Sequence, residues 1–175
     1  MSITRPFNFQ QWIKDNQKFL KPPVSNKCVY TEAGDIIVMV VGGPNRRKDY
    51  HYNETEEFFY QIKGDIRVKI QEDGKAVEVP IKEGEIFLLP ARVPHSPIRP
   101  ADTVGLVVEL HRNHGEKDGL LWFCDHCNEK LHETYFPLLD IENDFLSRFK
   151  EFYDSEEKRT CIKCGNIMET DERYT

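Results

Sequence analysis

Between residues 35 and 110 the chain is a succession of short apolar runs, at 36–41, 58–62, 66–70, 77–81, 86–89 and 104–110. Each is of strand length and rich in β-branched and aromatic side chains, the composition that fits a pleated, half-buried surface. Turn residues separate them, with Lys63, Gly64 and Asp65, then Asp73 and Gly74, then Glu83 and Gly84 between successive runs. Ile66, Val68 and Ile70 alternate with Arg67 and Lys69, the period-two pattern of a strand with one face inside. Gly105, Val107 and Glu109 share one face of the last run. Repeated short strands with intervening turns predict a mainly β fold, a sandwich or a barrel.

The flanks read differently. Asn8 is placed to cap a helix carrying Phe9, Trp12, Ile13, Phe19 and Leu20 near helical spacing, stopped by Pro22 and Pro23 and packed on the main core. After His111 a charged, glycine-containing connection runs through Gly119 to Trp122, Phe123 and a first cysteine pair. Leu138, Ile141, Phe145, Phe149 and Phe152 recur every three or four residues, predicting a helix that covers one side of the core. These changes of texture divide the chain into residues 1–115, an N-terminal helix and barrel, and 116–175, a small C-terminal module.

Composition narrows the function classes. A chain of 175 residues buries enough surface to make a core without disulfides or metal. Its net charge of -6 argues against nucleic acid or an anionic membrane as partner, and an anionic small molecule needs a local arginine cluster. No apolar run approaches membrane-spanning length, and the N-terminus lacks the continuous apolar stretch of a secretion signal, so a cytoplasmic setting is expected. In that reducing compartment paired cysteines are more often metal ligands or redox groups than disulfides.

Two segments carry candidate chemistry. The first, between Gly43 and Gly64, holds His51, Asn53 and Glu57; the second runs from Gly84 through Pro90, Arg92, Pro94 and His95 to Arg99. Two imidazoles and a carboxylate are ligands of the kind that hold divalent iron and leave positions open for substrate and oxygen. The pair resembles the two motifs of the cupin superfamily, G-x5-H-x-H-x3,4-E-x6-G and G-x5-P-x-G-x2-H-x3-N. Asn53 stands for the second histidine of the first motif, and Arg92 and Arg99 for the glycine and asparagine of the second. The resemblance implies an antiparallel double-sheet β-barrel with His51, Glu57 and His95 as a facial metal triad inside it.

Cys124 and Cys127, with Cys161 and Cys164, form two C-x2-C pairs 33 residues apart. Together they can complete a tetrahedral sulfur site, with redox chemistry as the alternative, and sulfur ligands do not choose between zinc and iron. A four-thiolate site has no vacancy for substrate, so its expected role is to hold together a C-terminal segment with little hydrophobic burial of its own. Cys28 is unpaired and reads as a small buried residue, and His126 and His132 as neighbours rather than ligands.

Arg47, Arg92 and Arg99 lie within four residues of the candidate ligands, and Glu109 is a carboxylate expected inside a barrel, where it needs a partner. With these residues the segments VGGPN, RR and DYH within 41–51, EFFYQIKG at 57–64, LPARVPHSPIRPADTVGLVVE at 89–109 and WFCDHC at 122–127, together with PPV at 22–24, resemble the 3-hydroxyanthranilate 3,4-dioxygenase family in its short, single-cupin form. The resemblance implies an iron(II) enzyme of tryptophan catabolism, leading to quinolinate and NAD. Such an enzyme opens the ring of 3-hydroxyanthranilate with O2 to give 2-amino-3-carboxymuconate semialdehyde. It implies Arg47, Glu57, Arg99 and Glu109 in the substrate pocket, Asp49 beside them, a rubredoxin-like four-cysteine site for a second metal (iron or zinc), and a homodimer. Within that reading Arg99 grips the substrate carboxylate, Glu109 accepts the phenolic proton and Arg47 steadies charge developing on oxygen. Exposed apolar residues of the N-terminal region are the expected dimer surface. The rival readings are another metal-dependent cupin enzyme, dioxygenase or isomerase, on a different small anion, and a non-enzymatic ligand-binding cupin.

Overall fold

The computed structural model describes residues 5–22, 25–32, 34–45, 47–139 and 144–170. Pro23, Val24, Arg46 and Ile141, named above, lie outside the described residues. Helix α1 (Phe9–Asp15) is followed by a 3-10 turn (Gln17–Leu20) and strands β1 (Asn26–Cys28), β2 (Ile36–Gly42), β3 (Asp49–Tyr52), β4 (Glu57–Lys63), β5 (Ile66–Glu72), β6 (Lys75–Ile81), β7 (Ile86–Leu89), β8 (His95–Ile98), β9 (Val104–Leu110), β10 (Asp118–Phe123) and β11 (Lys130–Phe136); helices α2 (Asp144–Tyr153) and α3 (Glu156–Arg159) close the described chain.

The strands form two antiparallel sheets, in the orders β1-β2-β9-β4-β7 and β11-β10-β3-β8-β5-β6. The sheets face each other across a core of Met39, Phe59, Ile66, Val68, Ile81, Leu89 and Val107. Asp73 and Gly74 make the β5–β6 turn with φ of 50° and 74°, the left-handed pair that a tight hairpin requires. The fold is mainly β, as the alternating runs predict, and has the antiparallel double-sheet form that the cupin resemblance implies.

The N-terminal helix is shorter than its apolar pattern. Asn8 Oδ1 accepts the Gln11 N–H at 2.8 Å as expected of a cap, but Asn16 donates its side-chain amide to the Trp12 carbonyl at 2.8 Å and ends the helix there. Residues 17–20 continue as the 3-10 turn, which still brings Leu20, with Ile13, onto Val40. Leu138 lies outside the described span of the C-terminal helix, Asp144–Tyr153.

Strands β1, β3, β8 and β11 carry no long apolar run and β10 only the short run 120–123, and the alternating pattern did not reveal them. β3 turns Asp49 and His51 inward, β8 contains Pro97, and both lie within the barrel where polar residues are needed. The division expected at residue 115 falls between β9 and β10, and strands from both sides of it share one sheet, β10 pairing with β3 from Gly119↔Tyr52 to Trp122↔Asp49. The C-terminal region was expected to bury little apolar surface. Instead Leu120, Trp122, Phe136, Phe149, Phe152, Tyr153 and Met168 form a core of their own, with Trp122 stacked on Phe152 at 4.3 Å.

Exposed apolar residues lie on the outer face of the five-stranded sheet as well as near the N-terminus, where Phe7 meets Tyr30. Ile86 and Leu88 are 66% and 53% exposed and stand beside Tyr60 and Phe58, while Ile36 pairs with exposed Leu110. Helix α1 covers only the other end of this face, at Val40, Val104 and Leu106.

Candidate metal centre and substrate pocket

Facing sheets build the first cluster. His51 on β3 and His95 on β8 are direct cross-strand partners in one sheet, and Glu57 opens β4 in the other. All three are buried, and one ligand atom from each lies within 4.8 Å of the others. His95 Nδ1 bonds to the Val93 carbonyl at 3.0 Å, which leaves Nε2 free as a donor atom, 3.0 Å from Glu57 Oε2. That approach lacks the alignment of a hydrogen bond, and Glu57 Oε2 is buried with no hydrogen-bond partner. A buried carboxylate oxygen without a donor, beside two imidazoles, suits a cation. The residues therefore fit a divalent metal.

The electrostatics of Glu57 and His51 point the same way. Burial disfavours charge on Glu57, yet the His95 and His51 rings outweigh it and hold the carboxyl below its ordinary value. Burial works against the His95 cation too, but Glu57 holds its pKa up; at His51 burial wins and lowers it. A carboxylate kept ionised and an imidazole kept neutral are the ligand forms that a metal needs.

Around this cluster lies a cavity of about 120 Å³ lined by Arg47, Arg99, Glu109, Met39, Val107 and Phe145 among others. Arg99 is 2% exposed, and burial brings its pKa down to about 10. Its Nη1 donates to Gln61 Oε1 at 3.3 Å, and no carboxylate pairs with it among the described residues. Gly105 makes room for this pair: a Cβ there would stand 2.8 Å from both Arg99 Nη1 and Gln61 Oε1. Arg47 grips Asp49, with Nη2 at 2.5 Å from Oδ2, and its guanidinium lies 5.9 Å from the Phe145 ring. Phe145, from α2, also packs on His51 at 5.2 Å, so the C-terminal helix walls the cavity. Arg92 faces away; it is exposed, paired with Glu54 at 2.7 Å, and has the positive φ of 66° that the motif glycine would take without strain.

Glu109 sits directly across from Glu57 on adjacent strands β9 and β4. Burial and the Glu57 charge push its carboxyl up to about 7, against the pull of Arg112. Asn53, in place of the motif's second histidine, is buried with its amide 3.5 Å from Glu109 Oε2. Two residues here escaped sequence reasoning. Asp118 Oδ2 lies 2.6 Å from His51 Nε2, and Arg112 bonds to both Asp118 and Glu109. The sequence pattern places Asp118 in a connection; the apolar run following Gly119 is the available sign of a strand, but His51, the partner of Asp118, stands 67 residues away.

The four cysteines meet in a second cluster, with Cys124 Sγ 3.6 Å from Cys164 Sγ and Cys127 Sγ 3.5 Å from Cys161 Sγ. The two pairs fold alike. Asn128 and Gly165, each following the second cysteine, have φ of 59° and 74° and return their N–H to the carbonyl of the first at 2.9 Å. Burial raises the Cys161 thiol, but the backbone N–H groups of Cys164 and Lys163 outweigh it and bring it to about 7. Matched turns around convergent sulfurs suit a tetrahedral metal site. Cys28, by contrast, packs beside the main core.

The arrangement combines a metal-capable triad, a buried unpaired cation and a carboxylate with a raised pKa in one cavity. Comparison with known proteins places it. The chain is 50% identical over 172 residues, covering 98% of it and 97% of the relative, to the 3-hydroxyanthranilate 3,4-dioxygenase of Xanthomonas campestris pv. campestris strain B100. It is 48% identical over 163 residues, covering 93% of it and 90% of the relative, to that of Bacillus cereus strain ATCC 10987. Among solved structures, a cupin-2 domain containing protein from Shewanella frigidimarina is similar at 17% identity and a TM-score of 0.48, over 60% of this chain and 94% of that one. A family model described as 3-hydroxyanthranilic acid dioxygenase matches residues 1–153, and the chain belongs to that family.

Proposed function

We propose that this chain opens the aromatic ring of 3-hydroxyanthranilate with dioxygen, giving 2-amino-3-carboxymuconate semialdehyde, the precursor of quinolinate and so of NAD. The observation that carries the reading is the meeting, in one cavity, of the His51, Glu57 and His95 triad with buried Arg99 and Glu109. Iron(II) held by the triad would supply the common centre through which electrons pass from the ring to dioxygen.

The protein's own groups divide the remaining work. Arg99 holds the substrate carboxylate; a desolvated guanidinium without an acidic partner is matched by an incoming carboxylate through charge-assisted hydrogen bonds. That contact turns the hydroxyl and amine of the ring toward the triad. Glu109 accepts the phenolic proton, because a carboxyl with a pKa near 7 is poised to exchange a proton at neutral pH. Arg47, held by Asp49 at the cavity wall, adds positive charge where oxygen becomes negative. Phe145 and Met39 narrow the cavity and exclude water from the ring face.

The four cysteines hold a second metal, iron or zinc, as a structural tie between the β10–β11 connection and the segment after α3. Two chains associate through the apolar outer face of the five-stranded sheet. Cys124, Cys127, Cys161 and Cys164 form no disulfide, which suits metal-binding thiolates in a cytoplasmic enzyme. No helix among the described residues is long and apolar enough to cross a membrane.

Oxygen uptake by iron(II)-loaded protein tests the reaction. One O2 should be consumed per 3-hydroxyanthranilate, with both atoms of labelled oxygen in the product. Substrate conversion without oxygen uptake would assign the chain to isomerase chemistry instead.

A further inference from the structure

Arg112 belongs to neither cluster of candidate ligands, yet it bonds to the carboxylate behind His51 and to Glu109 of the substrate cavity. It stands just beyond β9, with a side chain only 7% exposed. Its Nε and Nη2 donate to the two oxygens of Asp118 at 2.7 and 2.5 Å, and Nη1 donates to Glu109 Oε2 at 2.6 Å and to the Leu110 carbonyl at 2.8 Å. Asp118, fully buried, meets His51 Nε2 at 2.6 Å. One planar fork thus fixes two carboxylates, of which one orients His51 and the other reaches into the substrate cavity.

The geometry decides between two roles. A buried arginine between two carboxylates could do no more than neutralise them, a task that any cation of similar length performs. Here, however, three of its nitrogens are committed to two carboxylates and a backbone carbonyl, an arrangement that a guanidinium holds rigidly and an ammonium cannot reproduce. Carboxylates bonded to the far nitrogen of a metal-binding histidine set its tautomer and ring angle, and their loss typically costs about 10- to 100-fold in metal affinity or activity.

We propose that Arg112 is a positioning residue that sets His51, through Asp118, and Glu109 directly, so that metal geometry and proton acceptance share one support. This rests on the reading of His51 as ligand and Glu109 as proton acceptor. Arg112→Lys keeps the charge and removes the fork.

The test measures three quantities on Arg112→Lys, Asp118→Asn and Glu109→Gln: cobalt(II) and iron(II) affinity by anaerobic titration of metal-free protein, the visible spectrum of the cobalt(II)-loaded form, and kcat at saturating metal and substrate. Asp118→Asn should weaken metal binding by roughly 10- to 100-fold and shift the cobalt spectrum. Glu109→Gln should lower kcat at least tenfold with metal affinity unchanged. Arg112→Lys should show both defects with the Asp118→Asn spectrum, and adding Asp118→Asn to it should weaken metal binding little further. Wild-type metal affinity and kcat in Arg112→Lys would reduce Arg112 to a neutralising cation and overturn the proposal. A lowered melting temperature with an unshifted cobalt spectrum would overturn it also, as would an Asp118→Asn variant that binds metal normally. Failure of the wild-type protein to consume oxygen with 3-hydroxyanthranilate would count against the proposed reaction alone, because the titrations and spectra still decide whether Arg112 sets His51.

Discussion

Replacing Arg99 by alanine probes the pocket most directly, because its guanidinium is buried and without a carboxylate partner among the described residues. The substrate carboxylate then enters a dry site with nothing to replace its hydration. Hydrogen bonds to charged groups contribute about 1.5–3 kcal/mol each, so losing this contact should cost roughly 3 kcal/mol, about 150-fold in affinity. In the wild-type protein, 2-aminophenol, which lacks the carboxylate, should bind more weakly than 3-hydroxyanthranilate by a similar factor. Combined, the two changes delete the same contact twice. Anaerobic titration of the metal-loaded protein with each compound closes the cycle, and the paired loss should stay near 3 kcal/mol rather than approach 6. Simple addition of the two losses would show that Arg99 does not read the carboxylate, and the proposed pose would fall even with the reaction intact. Gly105→Ala offers an independent check, since its new Cβ would press on Arg99 Nη1 and Gln61 Oε1 and should raise KM in the same direction.

Further expectations follow from other parts of the molecule. His51→Ala, Glu57→Ala and His95→Ala should each abolish turnover and reduce iron bound at that site, measured by metal analysis, with the fold retained by circular dichroism; full iron and turnover in any one removes it from the ligand set. Burial and Glu57 hold the Glu109 carboxyl at about 7, and a bound dication lowers it, so kcat should rise with pH along an acid limb at or below about 7 that Glu109→Gln loses. Cys127→Ser should remove one metal per chain and lower the melting temperature while the triad metal stays, and stoichiometric metal in a Cys127→Ser, Cys161→Ser double variant would rule out a four-thiolate site. Leu88→Glu, on the edge strand of the apolar sheet face, should shift a dimer to monomer in light scattering, and an unchanged mass would move the interface elsewhere.

The sequence alone marked the residue types and most of the apolar strands. The runs at 86–89 and 104–110 coincide with β7 and β9, because alternating burial on a two-faced sheet leaves a local, period-two trace. The spacing of His51, Glu57 and His95 and the two cysteine pairs were equally legible, since ligand chemistry demands particular side chains at short intervals. What the sequence could not show is what faces what. β3 and β8 were hidden because their inward positions hold Asp49, His51 and His95, polar where a strand pattern expects apolar. The His51↔His95 pairing, the approach of Asp118 to His51 and the bridge through Arg112 to Glu109 exist only once two sheets close on each other. Burial decided the rest. Arg99 and Glu109 are ordinary charged residues in the sequence, and only removal from water, one without a carboxylate and the other beside Glu57, brings the first pKa down to about 10 and pushes the second up to about 7.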